Sequence, residues 1–279
     1  MRYTVSLYDR LLEVKNHAAP IAIPPKNTKK RGCVKGLSKK SRFRLTKLLA
    51  MINRPEPLHF VTLTYREFAG DWGKWKDHFK AWKDLMCHHY PALSGLWRME
   101  FQERGAPHFH LILWGVTKAT EAFKDQASEA WLRIIGQNTQ ANRQYGVTVQ
   151  LTDDLRSTGF YLSMYAAKDE KDRKDIQTGR EWGLIRRDLL NVKPSRVALL
   201  SDCQERLLRR VLRRLHRAKN RSTASSYYRR LQRDESSFST FFTFEESVRL
   251  VRFVMNEAEA ISEHTLRIQR KLSAVRLAA

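Results

Sequence analysis

Acidic residues are scarce: 29 Asp and Glu stand against 52 Lys and Arg in 279 residues, leaving a formal charge of +23. An excess of this size repels itself unless a polyanion neutralises it, and the polyanion most abundant in a cytoplasm is nucleic acid. Cysteine is scarcer still. Cys33, Cys87 and Cys203 stand far apart with no CxxC pair, which excludes a disulfide framework or a cysteine zinc knuckle and fits a reducing compartment. No run approaches the roughly 20 apolar residues of a membrane helix. The opening MRYTVSLYDRLLEV is interrupted by Asp9 and Glu13, unlike a signal peptide. The expectation is a soluble, cytoplasmic protein with no membrane partner. No GxxxxGK[ST] occurs, so no ATP-driven helicase is built in. Hydrophobic residues are nonetheless 42% of the chain and aromatics 10%, enough to bury a core.

Basic residues crowd 26–47, a segment that opens with Pro24 and Pro25 and contains Gly32 and Gly36. It reads as a basic arm, followed by a short helix from Ser38 that ends before Pro55 and Pro57. LHFVTLTY, 58–65, is rich in β-branched and aromatic residues and reads as a strand. Trp72, Trp75, Phe79, Trp82 and Met86 recur at steps of three and four, predicting a helix with an aromatic core face. GLWRMEFQ (95–102) and HFHLILWG (108–115) flank ERGAP, whose Gly105 and Pro107 predict a hairpin turn. A helix over about 118–135, a strand at 146–151 and a helix over about 155–170 follow. This order, strand–helix–strand–strand–helix–strand, predicts an α+β, ferredoxin-like split βαβ fold: an antiparallel sheet with helices on one face. Beyond it, 192–200 offers an edge strand. Residues 201–220 form a basic helix with Arg206, Arg209, Arg210, Arg213, Arg214 and Arg217, and a last helix spans about 245–277. The expected division is a basic N-terminal arm and short helix (1–57), a central domain (58–195) and a basic helical C-terminal region (196–279).

His108 and His110 are two apart on a strand, so both imidazoles project from one face while Phe109, Leu111 and Leu113 enter the core. A turn centred on Gly105 would set Glu100 opposite His110 and Gln102 opposite His108, all on that face. Two imidazoles and a carboxylate suit a divalent cation with open positions for substrate and water, whereas a structural zinc would want a closed set of four. In STGFYLSMYAAKDEK, Tyr161, Tyr165 and Lys168 share one helix face beside a packing stripe of Phe160, Met164 and Ala167. A phenol, weakly nucleophilic at its free pKa of about 10, gains from a cation and an ammonium that favour the phenolate. In an isolated helix the same tyrosines would be half-buried packing residues.

FVTLT, ERGAPHFHLIL and YLSMYAAK, in this order on this strand pattern, resemble the three motifs of the HUH endonucleases that initiate rolling-circle replication. The resemblance is greatest to the replication-associated proteins of small single-stranded DNA phages, filamentous and microvirus-like. It covers roughly residues 58–190, including GREWG at 179–183. It implies the HUH fold, a divalent metal (Mg²⁺ or Mn²⁺) on His108 and His110 completed by Glu100, and a tyrosine nucleophile. Tyr165 matches the YxxK form and Tyr161 the second tyrosine of the paired form. Many relatives carry a lysine where this chain has Met164, so Tyr161 lacks its own YxxK lysine and Tyr165 is the expected principal nucleophile.

The activity so implied is metal-dependent, site-specific nicking and religation of single-stranded origin DNA through a 5′-phosphotyrosine, in a host bacterial cytoplasm. Lys168 would hold the phosphate or stabilise the phenolate. The released 3′ hydroxyl would serve a polymerase, with host helicase and polymerase as partners. The arm and the 201–220 helix would contact phosphates, positioning DNA without reading it. Thr62 and Thr64 are expected to serve the sheet rather than the reaction, and Arg104 either helps at the turn or is solvated. Two alternatives stand: a non-catalytic single-stranded nucleic-acid-binding protein on a ferredoxin-like sheet, or a relaxase or transposase of the same HUH class.

Overall fold

The computed structural model describes residues 3–18, 37–65, 74–137, 139–155, 158, 179–220, 226–232 and 236–256. In chain order the elements are β1 (Tyr3–Leu7), β2 (Leu11–Asn16), α1 (Lys39–Met51), β3 (Leu58–Thr64), α2 (Trp75–His89), β4 (Ser94–Phe101), β5 (Pro107–Trp114), α3 (Thr120–Ile135), α4 (Gln140–Tyr145), β6 (Val147–Thr152), β7 (Trp182–Ile185), β8 (Arg196–Leu200), α5 (Asp202–Asn220), α6 (Ser226–Gln232) and β9 (Phe238–Phe241). A further helix covers 244–256. The chain divides into two compact units: one of Met1–Thr28, Ala50–Ile52 and Val192–Ala279, the other of Lys29–Leu49 and Asn53–Asn191.

The second unit holds an antiparallel sheet in the order β6-β3-β5-β4-β7. Its first four strands reproduce the split βαβ arrangement expected from the element order. One face of this sheet is the core. Val61 and Leu63, Met99 and Phe101, Phe109, Leu111 and Leu113 pack against Trp75, Phe79, Trp82 and Met86 of α2 and Phe123, Ala127 and Trp131 of α3. Phe79 stacks on Phe109 at 4.4 Å between centroids. Two buried indoles find acceptors: Trp82 Nε1 donates to the Ala127 carbonyl and Trp131 Nε1 to the Thr64 carbonyl, both at 3.0 Å. The second of these bonds ties α3 to the end of β3.

The hairpin register differs from the expected one. Glu100 pairs with His108, Arg98 with His110 and Phe101 with Pro107. The turn runs from Gln102 to Ala106, whose carbonyl accepts the Gln102 amide, with Gly105 at φ +84° where a side chain would be strained. The pairing is thus two residues out from a turn centred on Gly105. Because strand side chains alternate with period two, that slip exchanges partners without changing faces. The last two residues of GREWG begin the fifth strand: β7 pairs with β4, and the Met99 amide donates to the Glu181 carbonyl just before it at 2.7 Å.

Gly95 on β4 is held by close packing. A Cβ there would lie 2.1 Å from the Ile112 carbonyl oxygen, so Gly95→Ala must push β4 off β5. We expect a loss of about 1–3 kcal/mol, read as a lowered denaturation midpoint at unchanged m-value; an unaltered midpoint would show that the strands yield freely.

The first unit contains a second antiparallel sheet, β8-β1-β2-β9. Residues 3–16, assigned above to an N-terminal arm, are therefore strands, and β8 edges this sheet rather than the one carrying the hairpin. Tyr3, Val5, Leu7, Leu12 and Val14 pack against Leu208 and Leu212 of α5, Leu231 of α6, and Val251 and Val254 of the 244–256 helix. The basic segment 26–36, Trp72, most of the expected 155–170 helix and the last helix beyond 256 lie outside the described residues. Among the described residues, no helix is long and apolar enough to cross a membrane.

Candidate functional site

On the sheet face opposite the α2–α3 core, alternation brings Phe60, Thr62 and Thr64 of β3, Arg98 and Glu100 of β4, and His108 and His110 of β5 together. The β3–β5 register sets Thr62 against His110 and Thr64 against His108. Each hydroxyl lies 3.2 Å from the Nδ1 of its partner imidazole. The two imidazole centroids are 4.5 Å apart, and Phe60 stacks parallel to His110 at 5.7 Å. Glu100 Oε1 lies 2.7 Å from His110 Nε2, and Arg98 Nη2 lies 3.8 Å from Glu100 Oε2. Glu100, His108 and His110 are therefore brought together; Tyr161, Tyr165 and Lys168 lie outside the described residues.

These contacts have a consistent proton arrangement. A carboxylate only accepts, so His110 donates from Nε2–H to Glu100 and its Nδ1 accepts the Thr62 hydroxyl. A hydroxyl can also accept, so the other tautomer, with Nδ1–H donating to Thr62 and Nε2 bare, is held in the same ring orientation. Burial pushes the Glu100 carboxyl up, but the hydrogen bond and charge of His110, with Arg98 and His108, outweigh it and hold the group below its ordinary value. Burial, followed by the neighbouring His110, lowers His108 to about 4, against an opposing pull from Glu100 and a further lowering by Arg104. His108 is thus neutral at physiological pH, the form that ligates metals.

The donor set fits a divalent cation in kind: two imidazoles oriented through Nδ1 and an ionised carboxylate. Among the described residues, no group of three His, Cys, Asp or Glu side chains is already spaced to hold a metal ion. His110 Nε2 is instead engaged by Glu100 Oε1. Ligation through His110 Nε2 would use the other tautomer, with the proton on Nδ1 and donated to the Thr62 hydroxyl.

Four side chains were not assigned to the site from sequence. Thr62 and Thr64 orient the imidazoles as well as serving the sheet; their TxT spacing matches HxH across the β3–β5 pair that a split βαβ order implies. Arg98, 4% exposed, stands beside Glu100, a buried cation on the strand of a candidate ligand. Arg104 is not merely solvated: Nη2 donates to the Tyr65 carbonyl and Nε to Gln102 Oε1 at 2.9 Å, clamping the hairpin turn to the end of β3.

Residues 58–170 match the family model for replication-associated proteins of the ORF2 and gene 2 protein type. The matched stretch contains β3 to β6, every side chain of the site and the paired tyrosines. The match supports a replication initiator and, with it, a DNA partner. No curated protein and no solved structure matches the chain.

Proposed function

We propose that this protein is a rolling-circle DNA replication initiator of the HUH endonuclease class that nicks one origin strand and remains joined to it through tyrosine. Supporting this reading is the coincidence of two things: Glu100, His108 and His110 converge on one sheet face with both imidazoles pinned by threonines, and that face lies within the stretch resembling replication-associated proteins.

Glu100, His108 and His110 would hold Mg²⁺ or Mn²⁺, which when bound would neutralise charge developing on the scissile phosphate. Thr62 and Thr64 keep the imidazoles turned toward it. Tyr165 attacks the phosphorus; the new Tyr Oη–P bond forms as the P–O3′ bond breaks, and the phenol proton ends on the departing 3′ oxygen. Lys168 favours the phenolate before attack. The phosphotyrosine retains the energy of the diester, so a second 3′ hydroxyl can reverse the step and religate, with Tyr161 available to alternate with Tyr165.

The test is incubation with a labelled single-stranded origin oligonucleotide and Mn²⁺, followed by a denaturing gel. A covalent protein–DNA band is expected; its absence would leave the non-catalytic binding reading. Thr62→Val and Thr64→Val remove the orienting hydroxyls at nearly constant shape. Each should weaken Mn²⁺ binding about 10–100-fold, measured by titration calorimetry, with an unchanged circular dichroism spectrum. Wild-type affinity in both would assign the threonines to the sheet alone.

A further inference from the structure

The first unit, which carries none of the proposed nicking residues within its described part, presents a charged surface of its own. From Arg206 to Asn220, α5 contains no Asp or Glu, yet its arginines have different roles. Arg209, 1% exposed, is consumed internally: it pairs with Glu205, donates to the Ser236 carbonyl and lies 4.7 Å over the Phe238 ring. Arg213 is half-buried and donates to the Leu231 carbonyl at 3.2 Å.

Arg206, Arg210, Arg214 and Arg217 are exposed. Their spacing puts them within about 80° of the helix circumference and along about 16 Å of its axis, one cation roughly every 6 Å. Arg206 is steadied by the Asp202 carbonyl and Arg217 by the face of Tyr228. Among the described residues, Arg210 and Arg214 have no hydrogen-bond or ion-pair partner. Glu205, which could have neutralised the row, is already held by Arg209. The adjoining α6 adds exposed Arg229 and contains no acid.

We propose that this row of α5 is a sequence-independent anchor for the phosphate backbone of duplex DNA. A straight, preordered row of cations gains most from the polyanion of highest linear charge density, and duplex DNA carries a charge for about every 1.7 Å of axis. Single-strand grooves add aromatic rings on which bases stack. α5 has no Phe, Tyr or Trp, and its one ring, His216, packs against Tyr228. Contacts from such arginines to phosphate oxygens position a duplex without carrying sequence information. The proposal goes beyond the nicking reading, because it concerns binding by the other unit.

The experiment measures binding of the full chain to a random-sequence duplex and to one of its strands by fluorescence anisotropy, across a salt series in EDTA. Without added metal, binding is read apart from cleavage, so failure of the nicking reading leaves this test intact. Replacing Arg206, Arg210, Arg214 and Arg217 together by Gln should reduce the slope of log K against log salt for the duplex by about 3–4, at roughly 0.9 per phosphate contact. Each single Arg→Gln change should remove about 1, and replacement of all four by Lys should retain the slope. The single variants and circular dichroism guard against misfolding of the fourfold one. A duplex slope equal to wild type in the folded variants overturns the proposal, as does a loss confined to the single strand.

Discussion

Tyr165→Phe is expected to abolish the covalent protein–DNA adduct while DNA binding survives. The substitution removes one oxygen and leaves the ring, so the side chain keeps nearly its full size while the atom that must bond to phosphorus is gone. No second group takes over at full efficiency, because Tyr161 is followed three residues later by Met164 where Tyr165 is followed by Lys168. In the proposed mechanism the Lys168 ammonium would favour the phenolate of Tyr165. The expected loss of single-turnover cleavage is at least about 10⁴-fold, measured on a labelled oligonucleotide with Mn²⁺. If Tyr161→Phe abolishes the adduct and Tyr165→Phe does not, the two roles are exchanged. If neither variant alters the adduct, the nucleophile lies elsewhere.

His108→Ala is expected to remove cleavage at every Mg²⁺ or Mn²⁺ concentration, not merely to raise the concentration required. His108 is one of only two imidazoles in the proposed set, and its Nδ1 is held by Thr64, so a small side chain leaves nothing to complete the coordination. Electrostatic stabilisation by a cation contributes several kcal/mol, which at 1.36 kcal/mol per decade corresponds to about 10³-fold or more. Cleavage at the wild-type rate would remove the metal site from the mechanism.

The same residue predicts a pH effect in metal-free protein. The folded-state pKa of His108, about 4, lies below the unfolded value of about 6.5. Between those values the unfolded chain takes up a proton that the folded chain resists, so stability is full above pH 6.5 and declines as pH falls toward 4. Glu100, held below its ordinary value, adds a loss in the same direction at lower pH. Denaturant midpoints in EDTA should therefore fall on acidification between pH 6.5 and 4, and less steeply in His108→Ala. An equal fall in both proteins would show that His108 is not the group responsible.

Several features of the fold were legible because they rest on local periodicity. The aromatic steps of three and four announced α2, the β-branched and aromatic content of LHFVTLTY after Pro55 and Pro57 announced β3, and alternation put His108 and His110 on one face. Glu100 survived an error in register for the same reason: sliding the hairpin by two residues gave it a new direct partner, His108 for His110, but left its side chain on the same surface. It still reaches His110, now diagonally, at 2.7 Å. The N-terminal strands were not legible. β1 pairs with a strand far along the chain, β8, with Tyr3 opposite Leu200, and nothing within a few residues of Tyr3 reports such a partner.

By itself the sequence determined the charge, the strand–helix–strand–strand–helix–strand order from β3 to β6 and the common face of Glu100, His108 and His110, since composition and periods of 2.0 and 3.6 are properties of the chain alone. Only the tertiary structure decided that Thr62 and Thr64 hold the imidazoles, that Arg104 closes the turn onto Tyr65, and that Arg209 is buried while Arg210 faces water. Each of these depends on which surface a distant segment covers, and burial and partnership arise only when non-local strands and helices are packed together.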